Sequence, residues 1–338
     1  MSRSIINSVR NAKLSGLITT LMLSATSVTF AQGQQDSVGN YPNRPVTIII
    51  PYAPGGSTDV EGRLYAQKLT ESLRQSFVID YKPGAGATLG TAHAAKSAPN
   101  GYTLLMATVT FTVAPALYGA KTPYDPIKDF EPVSITTMTP DVFVVNAALP
   151  VKTLREYIAY AKANPGKINF STSGLGGVNH LGGAWLHNAT NTKVTFIHYK
   201  GGADVVRTVV SGEAHAGVTV PLTIGPHAKA GKAKILAVTT GERVKFLPDV
   251  PTVMEEGIPN YEWSQWVGAF APARTPKGIV DKLGAEFARA ARLPDVVQKL
   301  ENGKLVVGST PEELRKLVAR EVPAWRKIVQ EAGVVLLD

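Results

Sequence analysis

Short apolar runs alternate with helical patterns along almost the whole chain, an order that predicts α/β layers with mostly parallel sheets. Val46 to Ile50 reads as a buried strand. It leads to a helix from about Thr58 to Gln75, with Val60, Leu64 and Leu73 marking the inner face and Thr58 and Glu61 spaced as a capping box. Phe77 to Tyr81 follows as the second strand, and Gly84 to Gly90 opens a helix of small residues. Thr103 to Ala107 is the third strand, with Thr108 to Thr110 at its carboxyl end. In an open α/β sheet these three strand ends share one crevice.

A second set begins at Pro140. Val142 to Val145 is a strand, and Thr153 to Ala163 a helix halted by Asn164-Pro165-Gly166. Ile168 to Ser171 is a strand that feeds a glycine loop and helix over Ser171 to Leu181, the same order as in the first set. Val194 to His198 is another strand, ending in Tyr199-Lys200-Gly201-Gly202 before a helix over Ala203 to Ser211; Ala216 to Val220 and Lys234 to Thr239 are further strands. The last part resumes the first unit. Tyr261 to Ala271 is a crossover strand, and helices follow at about Pro276 to Ala291 and Pro311 to Ala332, the last with Thr310 as cap and Glu313 closing a capping box. The fold class is therefore two doubly wound α/β domains with a ligand cleft between them. Residues 43–137 and 260–338 form domain I and 138–259 domain II, and the double crossing supplies a hinge suited to closure.

Everything before the first strand is different in kind. Arg3, Arg10 and Lys13 precede an apolar, small-residue stretch from Leu14 to Phe30, and Thr29-Phe30-Ala31 has the form of a cleavage site, so 1–31 reads as a secretory signal peptide and 32–42 as a flexible tail. The expected location is periplasmic. Cysteine is absent from the chain, which removes disulfides, thiolate catalysis and a lipid-anchoring cysteine. The formal charge of +9, part of it in the leader, favours anionic small molecules. Nucleic acid is not expected as a partner, because the cations are scattered singly with no basic run interleaved with aromatics.

The chemistry suggested by the residues is anion binding. At Pro51-Tyr52-Ala53-Pro54-Gly55-Gly56-Ser57-Thr58-Asp59 a strand breaks into a Pro/Gly turn that opens a helix. Gly55 and Gly56 are expected at positive φ, and Ser57 or Thr58 as the cap that leaves the first amides pointing outward. Catalytic patterns fall short. Gly84, Gly86 and Gly90 approach a dinucleotide fingerprint with the third glycine one residue late, no phosphate-loop motif is present, and Ser173 lacks the elbow that exposes a serine nucleophile. His180 and His187 carry no zinc-binding pattern. No cofactor or metal is expected, and an enzyme is only the alternative reading.

Several motifs occur in order across nearly the whole chain after the leader: the Pro51 to Asp59 loop, Lys82-Pro83-Gly84-Ala85-Gly86, Asn100-Gly101-Tyr102-Thr103-Leu104-Leu105, Pro123-Tyr124-Asp125-Pro126, Lys128-Asp129-Phe130, Tyr199-Lys200-Gly201-Gly202 and Leu247-Pro248-Asp249-Val250-Pro251-Thr252. Together they resemble the Bug family, the TctC-like extracytoplasmic solute-binding proteins of tripartite tricarboxylate transporters. The resemblance implies a periplasmic two-domain clamp, a Venus-flytrap, that holds a small organic acid through amides, hydroxyls and waters and delivers it, as a monomer, to integral-membrane transporter subunits. A sensor role toward a membrane receptor is the alternative.

The resemblance also implies the site. Its first wall is Tyr52, Ala53, Gly55, Gly56, Ser57, Thr58 and Asp59, assisted by Ala87 in the Gly84 loop and by Thr108 and Thr110. The second is Ser171, Ser173, Gly174, Gly176, Asn179 and His180 with Tyr199, Lys200, Gly201 and Thr219. For Asp59 two roles stay open, a helix-start partner or a ligand contact. His180 is likewise a ligand donor or a partner within the fold. After Ala216 to Val220, where the family often carries an acidic or amide residue, this chain has Pro221-Leu222, which favours an aromatic or aliphatic dicarboxylate over an amino acid.

Overall fold

The computed structural model describes residues 38–199, 201–301 and 303–334, so the leader expected at 1–31 and residues 32–37 of the expected tail lie outside the described residues. The end of that tail is corrected. Tyr41 is only 1% exposed, and its hydroxyl donates to the carbonyl of Gly101 at 2.6 Å, because its ring packs edge-on against Tyr102.

In chain order the first part runs β1 (Val46–Ile50), α1 (Ser57–Leu73), β2 (Phe77–Tyr81), α2 (Thr88–Ala95), β3 (Thr103–Thr108), α3 (Thr110–Tyr118) and β4 (Phe130–Thr139). The chain then crosses to a second sheet through β5 (Val142–Asn146), α4 (Leu154–Ala163), β6 (Asn169–Thr172), α5 (Val178–Ala189), β7 (Thr195–His198), α6 (Gly202–Ser211), β8 (Ala216–Thr219), α7 (Pro221–Lys229) and β9 (Ala233–Val238). A second crossing brings it back with β10 (Gln265–Pro272), α8 (Lys277–Ala291), α9 (Pro294–Leu300), β11 (Leu305–Val306) and α10 (Pro311–Glu331). The first sheet has the order β11-β4-β10-β3-β1-β2 and the second β7-β6-β8-β5-β9.

β1 pairs in parallel with β2 and β3, and β6 with β7 and β8, as doubly wound units require. The expectation of mostly parallel sheets fails beside the crossings. β10 is antiparallel to both β3 and β4, and β5 to both β8 and β9. These strands enter their sheets directly from the other lobe, without the crossover helix that keeps consecutive strands parallel.

β4 has no counterpart in the sequence reading. It is buried along most of its length yet carries Ser134, Thr136 and Thr137, which break the apolar run. Their hydroxyls are satisfied inside: Ser134 donates to the carbonyl of Ser309 at 2.8 Å, while Thr136 and Thr137 donate to Glu61. Glu61 is therefore not the end of a capping box. The helix starts one turn position earlier than expected, with Gly56 at the cap and no side-chain cap bond, and Val60 faces solvent at 55% exposure. Helix α10 does carry the expected box, with Thr310 and Glu313 bonded reciprocally.

One buried cluster runs unbroken from Ile49, Leu105 and Phe111 beside the first sheet, through Tyr261, Trp263 and Trp325, to Phe143 and Phe170 beside the second. Trp263 and Trp266 are each 2% exposed and pack as core. The tightest approach in this bridge is at Gly182 in α5: its carbonyl accepts from the Tyr261 hydroxyl at 2.7 Å, and a Cβ there would lie 2.2 Å from Trp263 Cζ2. Gly182→Ala is expected to destabilise the fold by about 1 to 3 kcal/mol through overpacking. Gly225→Ala, where nothing lies within 4 Å, should be neutral or gain up to about 1 kcal/mol. Urea midpoints of the two variants check the contrast.

Candidate functional site

An α-helix begins with amides that have no partner within the helix, and a protein satisfies them with a side-chain cap, a proline or a ligand. Helices α4 and α10 use Thr153 and Thr310 as caps. Helices α7 and α9 place proline at the first turn, and α8 has Pro276 at its cap. The other five, α1, α2, α3, α5 and α6, have neither device: their cap residues are Gly56, Ala87, Val109, Gly177 and Gly201, none making a side-chain cap bond. Each of the five follows a strand of a parallel pair, β1, β2 and β3 in one sheet and β6 and β7 in the other. Open helix starts thus gather at the carboxyl ends of the parallel strands.

In the first lobe the structure brings the expected residues together. The Tyr52 hydroxyl lies 2.7 Å from Thr108 Oγ1 and 2.6 Å from Thr110 Oγ1, and the two threonine oxygens are 3.0 Å apart. Burial raises the pKa of Tyr52, keeping it a neutral phenol. Gly90 packs where a Cβ would meet the carbonyl of Lys82 at 2.4 Å and Pro51 at 2.9 Å, so the Gly84 loop lies directly against the Pro51 loop. Only one of the two loop glycines has the expected conformation: Gly55 is at φ +92, whereas Gly56 is extended at φ −81. A Cβ on Gly56 would reach nothing nearer than the Ala53 carbonyl at 4.0 Å, so what Gly56 contributes is an open approach. Ala85 and Ala87 both hold positive φ, at 46 and 75, a conformation that costs about 1 to 2 kcal/mol without glycine.

Ala53, Gly55, Gly56 and Ser57 are exposed along this loop, while Thr58 and Asp59 are buried. Asp59 is fully occupied. It accepts from the Gly55 amide at 2.7 Å, the Tyr81 hydroxyl at 2.5 Å and Arg63 Nε at 2.7 Å, and the Tyr81, Gly55 and Arg63 bonds hold its pKa below the usual carboxylate range. It fixes the loop rather than facing outward. The sequence reading did not single out Lys304, whose Nζ donates to Ser57 Oγ at 2.7 Å and lies 3.6 Å from Glu61.

The second-lobe residues divide. Ser173 Oγ donates to Asn179 Oδ1 at 2.9 Å, and Asn179 Nδ2 donates to the Val218 carbonyl at 3.1 Å and to Asp141 Oδ1 at 2.9 Å. Gly174 and Gly176, at φ 141 and 74, shape the turn, and the Gly176 amide donates to His180 Nδ1 at 3.1 Å, which leaves the ring hydrogen on Nε2. His180 sits edge-on to Phe196 and His198, and burial, then His198, pulls its pKa down to about 4. It is a neutral donor. Gly201 caps α6 in an extended conformation at φ 179, and Thr219 Oγ1 lies 3.2 Å from Thr223 Oγ1 at the end of β8.

Two expected residues lie elsewhere. Ser171 is 0% exposed and its Oγ accepts from Thr208 Oγ1 at 2.9 Å, because its position in β6 points it under α6. The Tyr199 hydroxyl donates to Glu213 at 2.7 Å, drawn to an exposed cluster with Arg207. Lys200 lies outside the described residues. Asp141 and Gln265 were missed, since a lone acid and a lone amide in crossing segments give no motif.

Two α/β lobes crossed twice, with open helix starts at their strand ends, are the two-domain design of periplasmic binding proteins. A family model described as "Tripartite tricarboxylate transporter family receptor" matches residues 62–334, and the chain belongs to that family, the Bug or TctC-like solute-binding proteins. The chain is similar to Protein BugT of Bordetella pertussis, 34% identical over 302 residues that cover 89% of this chain and 93% of BugT. It is also similar to two solved structures from Rhodopseudomonas palustris, each 32% identical. One is Rpa4515 with adipate, with a TM-score of 0.69 and coverage of 88% of this chain and 100% of that one. The other is MatC with bound malate, with a TM-score of 0.66 and coverage of 86% and 100%.

Burial pushes the Asp141 carboxyl up from 3.8 to about 7. The folded state therefore holds this proton more tightly than the unfolded chain, and the stability gained is present below about pH 4 and lost as pH rises through about 7. Asp141→Asn should flatten the decline in unfolding free energy between about pH 5 and 8 relative to the parent, measured by urea titration. Glu321, also raised to about 7 by burial, titrates in both proteins and cancels from the difference.

Proposed function

We propose that the protein captures a small aliphatic or aromatic dicarboxylate between its lobes and hands it, unchanged and as a monomer, to the membrane subunits of a tripartite transporter after export to the periplasm. In this reading 43–137 and 260–338 form one lobe and 138–259 the other. The observation that carries it is the set of five helix starts without cap or proline, on both sheets, at the parallel strand ends. A carboxylate at a helix N-terminus gains about 0.3 to 1 kcal/mol, rising to ~2 when partly buried, and each hydrogen bond to a charged group adds about 1.5 to 3 kcal/mol. Micromolar affinity needs about 8 kcal/mol, so both carboxylates must be held by several donors at once. Tyr52, Thr108, Thr110 and His180 supply side-chain donors beside the amides, while Ser173 and Asn179, whose hydrogens are used within the fold, shape the second wall. The adipate and malate of the two R. palustris structures are acids of this class.

The same residues disfavour an amino acid. An α-ammonium requires a free carboxylate, and Asp59 is used by Gly55, Tyr81 and Arg63, while Asp141 is used by Asn179 and Gln265. Calorimetric titration should show adipate or malate binding without turnover and glutamate at least about tenfold weaker, a gap of about 1.4 kcal/mol. Tight glutamate binding with no dicarboxylate binding contradicts the reading. Gly56→Val, which adds its side chain to open space, should keep the melting temperature of the free protein while abolishing the ligand-dependent rise.

A further inference from the structure

Asp141 is unusual for a carboxylate: it is 0% exposed, and among the described residues it forms no ion pair. Its position explains more than its charge. It lies between β4 and β5, where the chain first crosses between sheets, and its backbone is bonded to Thr239 just beyond β9, where the second crossing begins. The Asp141 amide donates to Thr239 Oγ1 at 3.1 Å, and the Thr239 amide donates to the Asp141 carbonyl at 2.9 Å. Its side chain accepts from Gln265 Nε2, at the start of β10 where the second crossing ends, at 3.1 Å on each oxygen. It also accepts from Asn179 Nδ2 at 2.9 Å, and Asn179 in turn accepts from Ser173 Oγ. One hydrogen-bonded chain therefore runs from the Ser173 loop to both crossings.

A buried carboxylate without a cation is costly to desolvate, and fixing one arrangement of the surrounding groups is the return such a group can give. We propose that Asp141 is a positioning residue that couples the second-lobe wall to the interlobe hinge, holding Asn179 and Ser173 in register with both crossings so that capture and closure occur together. This rests on the ligand site proposed above.

The chain has no cysteine, so Glu71→Cys and Lys162→Cys place one spin label on each lobe without interference. Pulsed electron paramagnetic resonance then gives the interlobe distance distribution without ligand. Asp141→Leu, which removes both links at similar volume, should widen the distribution about twofold and weaken adipate binding at least about tenfold. Asp141→Asn keeps an acceptor for Asn179 and meets Gln265 with its amide turned, so it should retain the parental width. Gln265→Met cuts only the hinge link and should also widen the distribution, which keeps the test decisive if Asp141→Leu does not fold. Mere structural support would lower melting temperatures and leave the width unchanged. Unchanged widths in the folded variants, or widened distributions with unaltered adipate affinity, overturn the proposal. A parent that does not bind adipate contradicts the ligand reading, while the ligand-free widths still decide whether Asp141 holds the hinge.

Discussion

The polarity of an unfinished helix start is the constraint on which this molecule turns. Backbone amides at the beginning of a helix demand acceptors, and here the demand is met in two different ways. Away from the parallel strand ends the protein uses its own threonines and prolines, as at Thr153, Thr310 and Pro294. After β1, β2, β3, β6 and β7 the cap is glycine, alanine or valine, which brings no side-chain oxygen of its own; α7 after β8 takes Pro221 instead, and the first amide of α3 donates to Thr108 Oγ1 at 3.4 Å. Gly55, held by Asp59, and the positive-φ residues Ala85, Gly86 and Ala87 hold the loops in the turns that lead into α1 and α2. Affinity built this way comes from many modest donors fixed before the ligand arrives, which limits the ordering cost of binding.

Rigidity of the walls in turn depends on acids buried beneath them. Glu61 joins the second turn of α1 to Thr136 and Thr137 of β4, and Glu321 of α10 accepts from Trp266 of β10 at 3.1 Å and from Thr112 of α3 at 2.6 Å. Asp141 does the same work at the crossings. Burial raises the pKa of all three, so each is a strained group retained for the connections it makes. The continuous aromatic bridge through Tyr261, Trp263 and Trp325 adds a contact in which the lobes share one core instead of meeting through a bare linker.

The parallel strands were legible in the sequence as clean apolar runs, and so were α1, α2, α5 and α6, because glycine-led turns follow those runs, as at β1 and β6; α3 and α7, which follow β3 and β8 without such a turn, were not. The loops at Tyr52, Thr108 and Ser173 were legible for the same reason. What escaped was governed by partners far along the chain. Strand β4 hid its burial behind threonines whose acceptor, Glu61, lies some 75 positions away. Glu61 itself imitated a capping box, since a Thr-x-x-Glu spacing cannot tell a reach back to the helix start from a reach inward. Ser171 matched a loop motif but sits on the strand face that turns under α6, and Tyr199 was claimed by Glu213 and Arg207. Asp141 and Gln265 could be recognised only once the crossings brought them together.

Amide resonances offer the most direct test of whether backbone donors hold the ligand. In a nitrogen-15 correlation spectrum titrated with adipate, the account predicts the largest shifts at the amides opening α1, α2, α3, α5 and α6, from Ser57 and Thr58 to Gly202, with downfield movement as hydrogen bonds form. Saturable adipate binding that leaves those amides unmoved and perturbs the arginine and lysine side chains instead would contradict it.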